Sequence, residues 1–201
     1  MHSLRAEGIS AGWCAARSVA GILAEAAAFP PGIALLDLDL GRDPNGTRVD
    51  GTHLVGPLLD SGWRVLVLSG SSDRTRIGGA LAAGTLAWVP KHAPFPALLA
   101  AVRAALGGGT VMPPNRRAEL IDLYEERTAR HRELATKMGR LTQREREVLA
   151  ELARGKRAQA VADQFVVSLS TVRTQIRAIL TKLEVGSQLE AVALYRRAHG
   201  S

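Results

Sequence analysis

Residues 141–197 decide the fold of the C-terminal part of the chain, and they read LTQREREVLAELARGKRAQAVADQFVVSLSTVRTQIRAILTKLEVGSQLEAVALYRR. Three helix starts are visible. Thr142 and Ser187 are each followed three residues later by glutamate, which is the capping-box pattern, and Ser168 precedes a long periodic run. Apolar residues recur at helical spacing between these starts. The segment therefore predicts four short helices around one small core.

The helix predicted over residues 169–183 has one apolar face and one polar face. The apolar residues are Val172, Ile176, Ile179, Leu180 and Leu183. The polar face carries Arg173, Thr174, Arg177 and Thr181. Arginine can hydrogen-bond a guanine edge in the major groove, and Lys182 can reach a phosphate. We interpret this helix as a DNA-reading element, although a run of charges more often forms a solvated helix face.

Four short motifs support this interpretation: LTQREREVL, the glycine Gly155, SLSTVRTQI, and KLEV followed by Glu190 and Ala191. Through them the segment resembles the helix-turn-helix of LuxR-type bacterial regulators. The resemblance implies that the DNA-binding residues are Arg173, Thr174, Arg177, Lys182, Thr171 and Gln175. In that family the last helix is a dimer contact, so we expect a homodimer on a two-fold symmetric site in double-stranded DNA.

The charge of the chain is concentrated near this segment. Residues 141–201 contain 10 basic and 6 acidic side chains, whereas residues 1–109 contain 9 and 8. This excess is consistent with phosphate binding that weakens as salt rises. The single cysteine, Cys14, fits a reducing compartment, and we find neither a signal peptide nor a membrane span. We expect a cytoplasmic protein with no membrane partner.

Residues 1–109 alternate strand-like and helix-like segments. Strands are predicted over residues 9–15, 32–38, 63–68 and 86–89, and helices over residues 16–28, 52–59, 73–83 and 94–106. Apolar strands separated by helices are typical of a parallel, doubly wound α/β sheet. The functional edge of such a sheet lies at the carboxyl ends of its strands.

Three polar side chains are expected at that edge: Asp37, Ser69 and Lys91. Each residue alone is more simply explained as a loop cap, a turn residue or a surface charge. Together they offer a carboxylate that can accept a phosphoryl group, a hydroxyl that can hold a phosphoryl oxygen, and an ammonium that can neutralise the product. This combination points to phosphoryl-transfer chemistry.

The motifs ALLDLDLG, VLVLSGSSD and AWVPK resemble strands of the receiver domain in two-component response regulators, a flavodoxin-like fold. The resemblance implies that Asp37 is the phosphoacceptor and that Lys91 pairs with it. Ser69 and Trp88 fall at the positions of the receiver switch. A sensor histidine kinase is the partner that the resemblance implies.

The resemblance leaves out the first strand of a receiver, which carries an acidic pair that holds Mg²⁺. Counting back from Asp37 places that strand before Met1, so we expect a receiver that lacks its first strand. Asp37 and Asp39 can then hold Mg²⁺ only weakly, because the ion requires an octahedral shell. Either the sequence starts late within the receiver, or the receiver is degenerate and no longer takes a phosphoryl group. In the first case phosphorylation of Asp37 gates the protein; in the second the receiver is a dimerisation or protein-contact module and DNA binding is independent of phosphorylation.

An enzyme is the remote alternative, because Asp37 and Asp39 with Ser69 and Lys91 also resemble the haloacid-dehalogenase-type phosphohydrolases. That fold needs a further acidic pair at a strand end after the lysine. The first carboxylate after Lys91 is Glu119, in a helical region. We therefore expect a regulator and not an enzyme.

The chain is accordingly predicted to contain an α/β receiver-like domain over residues 1–109, a helical linker over residues 110–140, and an all-α four-helix domain over residues 141–201. The linker is predicted as a charged helix over residues 116–138. It is either a solvated spacer or a lever or short dimer seam between the domains, and it is too short for a strong coiled coil.

Overall fold

The computed structural model describes residues 2–70 and 73–200, and the chain divides into two compact units, residues 1–126 and residues 127–201. The first unit contains α1 His2–Ala6, α2 Val19–Ala27, β1 Ile33–Asp37, β2 Asp39–Arg42, β3 Arg48–Asp50, α3 Thr52–Asp60, β4 Arg64–Ser69, α4 Arg74–Ala82, β5 Ala87–Pro90 and α5 Phe95–Leu106. A long helix, α6 Pro114–Gly139, begins in the first unit and ends in the second. Among the described residues, no helix combines the length and the apolarity that crossing a membrane requires.

The first unit is built on a parallel sheet of three strands in the order β1-β4-β5. The central strand β4 is buried along most of its length, because its residues 65–67 are fully enclosed. Helix α5 packs against β1 and β5, and α3 packs against β4. The predicted parallel α/β sheet is therefore confirmed. Ser71 and Ser72, within the VLVLSGSSD motif, lie outside the described residues.

The strand predicted over residues 9–15 is wrong, because this segment is irregular in the structure. A strand needs a neighbour to satisfy its backbone groups, and β1 pairs only with β4 in the described part of the chain. The end of this segment is held instead by Glu25. Its carboxylate accepts hydrogen bonds from the amides of Ala15 (3.1 Å) and of the following residue, Ala16 (3.2 Å).

The segment between Asp37 and α3, where no strand was predicted, forms a small antiparallel hairpin of β2 and β3. Its turn is closed by Asp43, whose carboxylate accepts hydrogen bonds from the amides of Asn45 (2.9 Å) and Thr47 (2.8 Å). Arg76 of α4 fastens the hairpin by donating to Asp50 at 2.5 Å. Short polar strands of this kind lack the apolar alternation by which strands are recognised in a sequence.

The first half of α6 is a packed part of the first unit and not a solvated spacer. Arg117 donates hydrogen bonds to the carbonyl oxygens of Leu81 and Thr85, both at 2.7 Å. Leu120 is buried, and its carbonyl oxygen lies so close to Gly78 of α4 that a Cβ at Gly78 would collide with it. The two helix backbones therefore meet where α4 has no side chain.

We predict different effects for one substitution at two helical glycines. Gly78→Ala destabilises the first unit by about 1–3 kcal/mol, because the new methyl group overpacks the contact with α6. Gly56→Ala in α3 changes its stability by less than about 1 kcal/mol, because a Cβ there meets no atom of another element within 4 Å, and the helix preference of alanine is opposed by the Pro57 ring that follows. Urea unfolding followed by tryptophan fluorescence tests this, since Trp13, Trp63 and Trp88 all lie in the first unit. Stabilisation by Gly78→Ala would contradict the close packing.

The second unit contains the four predicted helices, α7 Gln143–Ala153, α8 Ala158–Phe165, α9 Leu169–Leu183 and α10 Gln188–His199. Thr142 and Glu145 form a complete capping box, and Ser168 and Ser187 each accept a hydrogen bond as N-caps. The helices enclose one core, which contains Leu141, Val148, Leu149, Leu152, Val161, Ala162, Val172, Ile179, Leu183 and Ala191. The prediction of four helices around one small core is confirmed.

Candidate nucleic-acid interface

One face of helix α9 is buried in the core, and its polar face therefore points to solvent. Val172, Ile179 and Leu183 are enclosed in the core of the second unit. Ser168 caps the start of the helix by accepting a hydrogen bond from the Thr171 amide at 3.1 Å. The helix ends at Glu184, whose backbone is left-handed. Rotation of α9 about its axis is thus prevented by its apolar residues.

Two arginines on the polar face have free guanidinium groups. Arg173 and Arg177 are exposed, and neither makes a hydrogen bond or an ion pair with the described part of the chain. Thr171 and Thr174 are exposed beside them. The Thr174 hydroxyl donates to the Ser170 carbonyl oxygen at 3.0 Å. The arginines are therefore available to an external acceptor, and the threonines border them.

Two further residues that the sequence analysis assigned to DNA binding, Lys182 and Gln175, are partly buried. The Lys182 ammonium donates to both carboxylate oxygens of Glu145, at 2.7 and 2.8 Å. The Gln175 side-chain oxygen is buried, and it accepts no hydrogen bond within the described residues. The structure therefore brings Thr171, Arg173, Thr174 and Arg177 together on the surface, whereas the Lys182 ammonium is paired with Glu145 and the side-chain oxygen of Gln175 is buried.

Arg157 is a basic residue that the sequence interpretation did not assign to the site. It occupies the N-cap position of α8, makes no capping hydrogen bond, and is exposed. Like the α9 arginines, it has no hydrogen-bond or ion-pair partner in the described chain. The sequence does carry a signal for this residue. In the segment Arg157-Ala158-Gln159-Ala160 an arginine stands at the helix start, where a capping side chain is usual.

The ion pair of Glu145 and Lys182 ties the start of α7 to the end of α9. The Glu145 side chain is only 9% exposed. Burial alone raises the pKa of Glu145, but hydrogen bonds from Lys182 and from Thr142 outweigh burial, and the pKa lies below its ordinary value. The charged form is therefore stabilised by folding.

This pKa shift predicts an acid-sensitive second unit. A carboxyl whose pKa is lowered by folding contributes stability above its unfolded pKa of about 4.3, and the contribution disappears as pH falls through the folded pKa. Glu145→Gln lowers the free energy of unfolding by about 1–2 kcal/mol at pH 7. The difference from the wild-type chain shrinks below pH 4.

Urea unfolding followed by far-ultraviolet circular dichroism measures this difference, and tryptophan fluorescence identifies the transition of residues 1–126. A deficit for Glu145→Gln that is equal at pH 7 and at the lowest pH would contradict the account.

A second polar cluster lies at the carboxyl ends of the sheet strands. Asp37 and Lys91 form an ion pair there. Ser69 is buried at the end of β4, and its carbonyl oxygen accepts a hydrogen bond from the Lys91 amide at 3.1 Å. Trp88 on β5 is covered by the guanidinium of Arg116, 5.6 Å from the ring centre. The topology thus gathers the polar residues expected at this edge.

The residues of this cluster do not fit a magnesium ion. One Asp37 oxygen binds Lys91, and the other accepts a hydrogen bond from the Asp39 amide at 3.0 Å. The Asp39 carboxylate lies 3.4 Å from Arg48, across the hairpin. No group of three or more His, Cys, Asp or Glu residues in the described chain is arranged to hold a metal ion. Mg²⁺ requires six oxygen ligands in near-ideal geometry, which this arrangement does not offer.

The phosphohydrolase arrangement lacks its second acidic site. After β5, the described chain contains helices only, so no later strand end carries the acidic pair which that fold needs. The helix-turn-helix with free arginines, following a receiver-like α/β unit, defines a DNA-binding regulator.

Comparison with known proteins identifies the family. The family described as bacterial regulatory proteins, luxR family, matches residues 139–195. The chain is 30% identical over 174 residues to the transcriptional regulatory protein LnrK of Bacillus subtilis (strain 168), an alignment that covers 85% of this chain and 77% of LnrK. Identity to DesR, a transcriptional regulatory protein of the same strain, is 29% over 163 residues, with coverage of 81% and 71%.

The response regulator protein VraR of Staphylococcus aureus is 30% identical over 177 residues, which cover 85% of this chain and 76% of VraR. Among solved structures, the response regulator RcsB of Salmonella typhimurium is similar with a TM-score of 0.43 and 18% identity, covering 90% of this chain and 84% of that chain. The protein belongs to the response regulators that carry a LuxR-type DNA-binding domain.

Proposed function

We propose that α9 enters the major groove of double-stranded DNA and reads base edges with Arg173 and Arg177. One observation carries this proposal: both guanidinium groups are exposed and unpaired on the helix face opposite the core. An arginine can donate two hydrogen bonds to the O6 and N7 atoms of guanine. Thr171 and Thr174 border the arginines and are suited to contacts with the thymine methyl group or with the backbone.

Phosphate contacts are supplied by cations around this helix, and Arg157 is the first candidate because it is free, exposed and at the start of α8, which packs against α9. Lys182 keeps a structural role in this proposal, since its ammonium is held by Glu145. The excess of 10 basic over 6 acidic side chains in residues 141–201 favours attraction to DNA at long range. Binding therefore weakens as the salt concentration rises.

The reading face is tested with a duplex that the wild-type chain selects from a random pool. Arg173→Ala or Arg177→Ala weakens binding to this duplex by about 1–3 kcal/mol, because each removes a bidentate base contact. Arg132→Ala removes the same charge from an exposed position of α6 and serves as the control with a smaller effect. Fluorescence anisotropy measures the dissociation constants at fixed salt. Unchanged affinity in both α9 variants would contradict the proposed reading face.

We further propose a homodimer through α10. Ala191, Leu194 and Tyr195 of this helix pack against the core of their own unit. Leu189 is 80% exposed, and Ala193, one helical turn later, is exposed as well. This second apolar face is therefore the one that suits a partner copy, and a two-fold dimer matches a palindromic site.

Leu189→Lys is expected to weaken dimerisation, because it places a charge in the apolar contact. Sedimentation equilibrium of the full chain measures the change, and Ala193→Lys is a second variant on the same face. A chain that remains as dimeric as the wild type with both substitutions would contradict this surface.

For the receiver-like unit we propose that DNA binding does not depend on phosphorylation of Asp37. The support is the arrangement of charges: the Asp37 carboxylate is bound to Lys91, and the Asp39 carboxylate faces Arg48. Phosphoryl transfer from a sensor histidine kinase to Asp37 is the competing mode, which the position of Lys91 and Ser69 at the same sheet edge favours. The pairing of both carboxylates with cations of the chain is the observation on which our choice rests.

Intact-mass spectrometry separates the two modes. After incubation with Mg²⁺ and acetyl phosphate, the wild-type chain is expected to gain no phosphoryl group relative to Asp37→Ala. Asp37→Ala is also expected to bind the selected duplex with unchanged affinity. A phosphoryl adduct that the Asp37→Ala control lacks would contradict the proposal and establish Asp37 as the phosphoacceptor.

A further inference from the structure

Glu184 has a backbone conformation that favours glycine. It is the C-cap of α9, with φ 58° and ψ 48°, in the left-handed region. Glycine adopts this region most easily because it has no Cβ atom. Of the non-glycine residues that the structure describes, only Val166 also has a positive φ. The backbone at position 184 therefore favours glycine over glutamate, and a contact of the glutamate side chain has to compensate for this preference.

The Glu184 carboxylate binds two cations at the end of α6. One oxygen accepts a hydrogen bond from Arg140 at 2.6 Å, and the other lies 3.2 Å from the Lys137 ammonium. Hydrogen bonds from Arg140 and from Lys137 hold the pKa of Glu184 below its ordinary value. The carboxylate is thus charged at neutral pH, and it connects the last turn of α9 to the last turn of α6.

Stability is a poor explanation for this contact. The side chains of Glu184 and Arg140 are 55% and 48% exposed, and that of Lys137 is 20% exposed. The carboxylate that both cations share is thus solvated, and ion pairs of this kind contribute little to the free energy of unfolding. The left-handed backbone opposes even that small contribution. The contact joins the end of α9 to the end of α6, and the pair of Lys182 and Glu145 joins the last turn of α9 to the start of α7.

We infer that Glu184 is a positioning residue for DNA recognition, which holds the last turn of α9 against Arg140 and Lys137. The inference rests on the proposed function, in which α9 reads DNA, and it adds a residue away from the reading face. Base contacts require a fixed helix direction, whereas attraction to phosphates depends mainly on charge. Glu184 therefore affects specific binding without contacting a base.

The charge of Glu184 gives the inference a test with a definite sign. An acidic group close to DNA opposes binding to any duplex. Removing a carboxylate that has no positioning role therefore raises affinity for all sequences. Removing a positioning contact lowers affinity for the specific site and spares binding to other sequences. The two roles therefore change specific affinity in opposite directions.

The test uses the full chain with Glu184→Gln, a duplex selected by the wild-type chain, and a scrambled duplex of equal composition. We expect affinity for the selected duplex to fall by about fivefold, and affinity for the scrambled duplex not to fall. Asp163→Asn is the matched control, because it removes an exposed charge that accepts a hydrogen bond only from Gln159. This control is expected to lose no affinity for either duplex.

An exchange of charges extends the test. Glu184→Arg combined with Arg140→Glu restores the ion pair without changing the net charge, and it is expected to recover part of the lost preference for the selected duplex. Unchanged or higher affinity of Glu184→Gln for the selected duplex overturns the inference, as does an equal loss on both duplexes. Arg177→Ala in the same assay tests the proposed function separately. Unchanged binding by this variant would contradict the proposed reading face, whatever the result for Glu184→Gln.

Discussion

The burial of one face of α9 determines what its other face can do. Val172, Ile179 and Leu183 are enclosed by the second unit, and exposing each of them would cost roughly 1.5–3 kcal/mol. This cost exceeds anything that Arg173 or Arg177 could gain from a contact within the chain. The arginines therefore point outward as a consequence of packing, and the polar face that we propose reads DNA is already formed in the free protein, which limits the ordering cost of association.

The acidic residues of the second unit complete this arrangement by neutralising the other cations. Glu145 holds Lys182, Glu151 holds Lys156 and Arg154, and Glu184 holds Arg140 and Lys137. Each pair connects two helices or closes a helix end, so most of the basic side chains around α9 are committed to the fold. Arg173 and Arg177, on the face that the proposed function assigns to DNA, are left without such a partner in the described chain.

The α9 helix could be predicted from sequence because caps, apolar spacing and basic positions agree there. Lys182 and Gln175 could not be placed in the same way. Spacing gives the direction in which a side chain leaves a helix, but a long side chain can turn back to a carboxylate on another element, as Lys182 does to Glu145. Contacts between residues distant in the sequence leave no periodic signal.

The same limit applies to the first unit. The apolar strand at residues 64–69 was recognised by its composition, whereas the hairpin of β2 and β3 is short and polar. Residues 9–15 have strand-like composition and no strand beside them. For α6, charge suggested a solvated helix, but the absence of a side chain at Gly78 allows its backbone to pack there. Local pattern thus predicts elements well and predicts their partners poorly.

The central claim, that Arg177 reads a guanine edge in the major groove, is tested most directly by changing the atom that it contacts. Replacing single guanines of the selected duplex with 7-deazaguanine removes the N7 acceptor and leaves base pairing intact. The account predicts that one such replacement weakens binding by the wild-type chain and has no effect on Arg177→Ala. Equal losses for both chains at every guanine would contradict it.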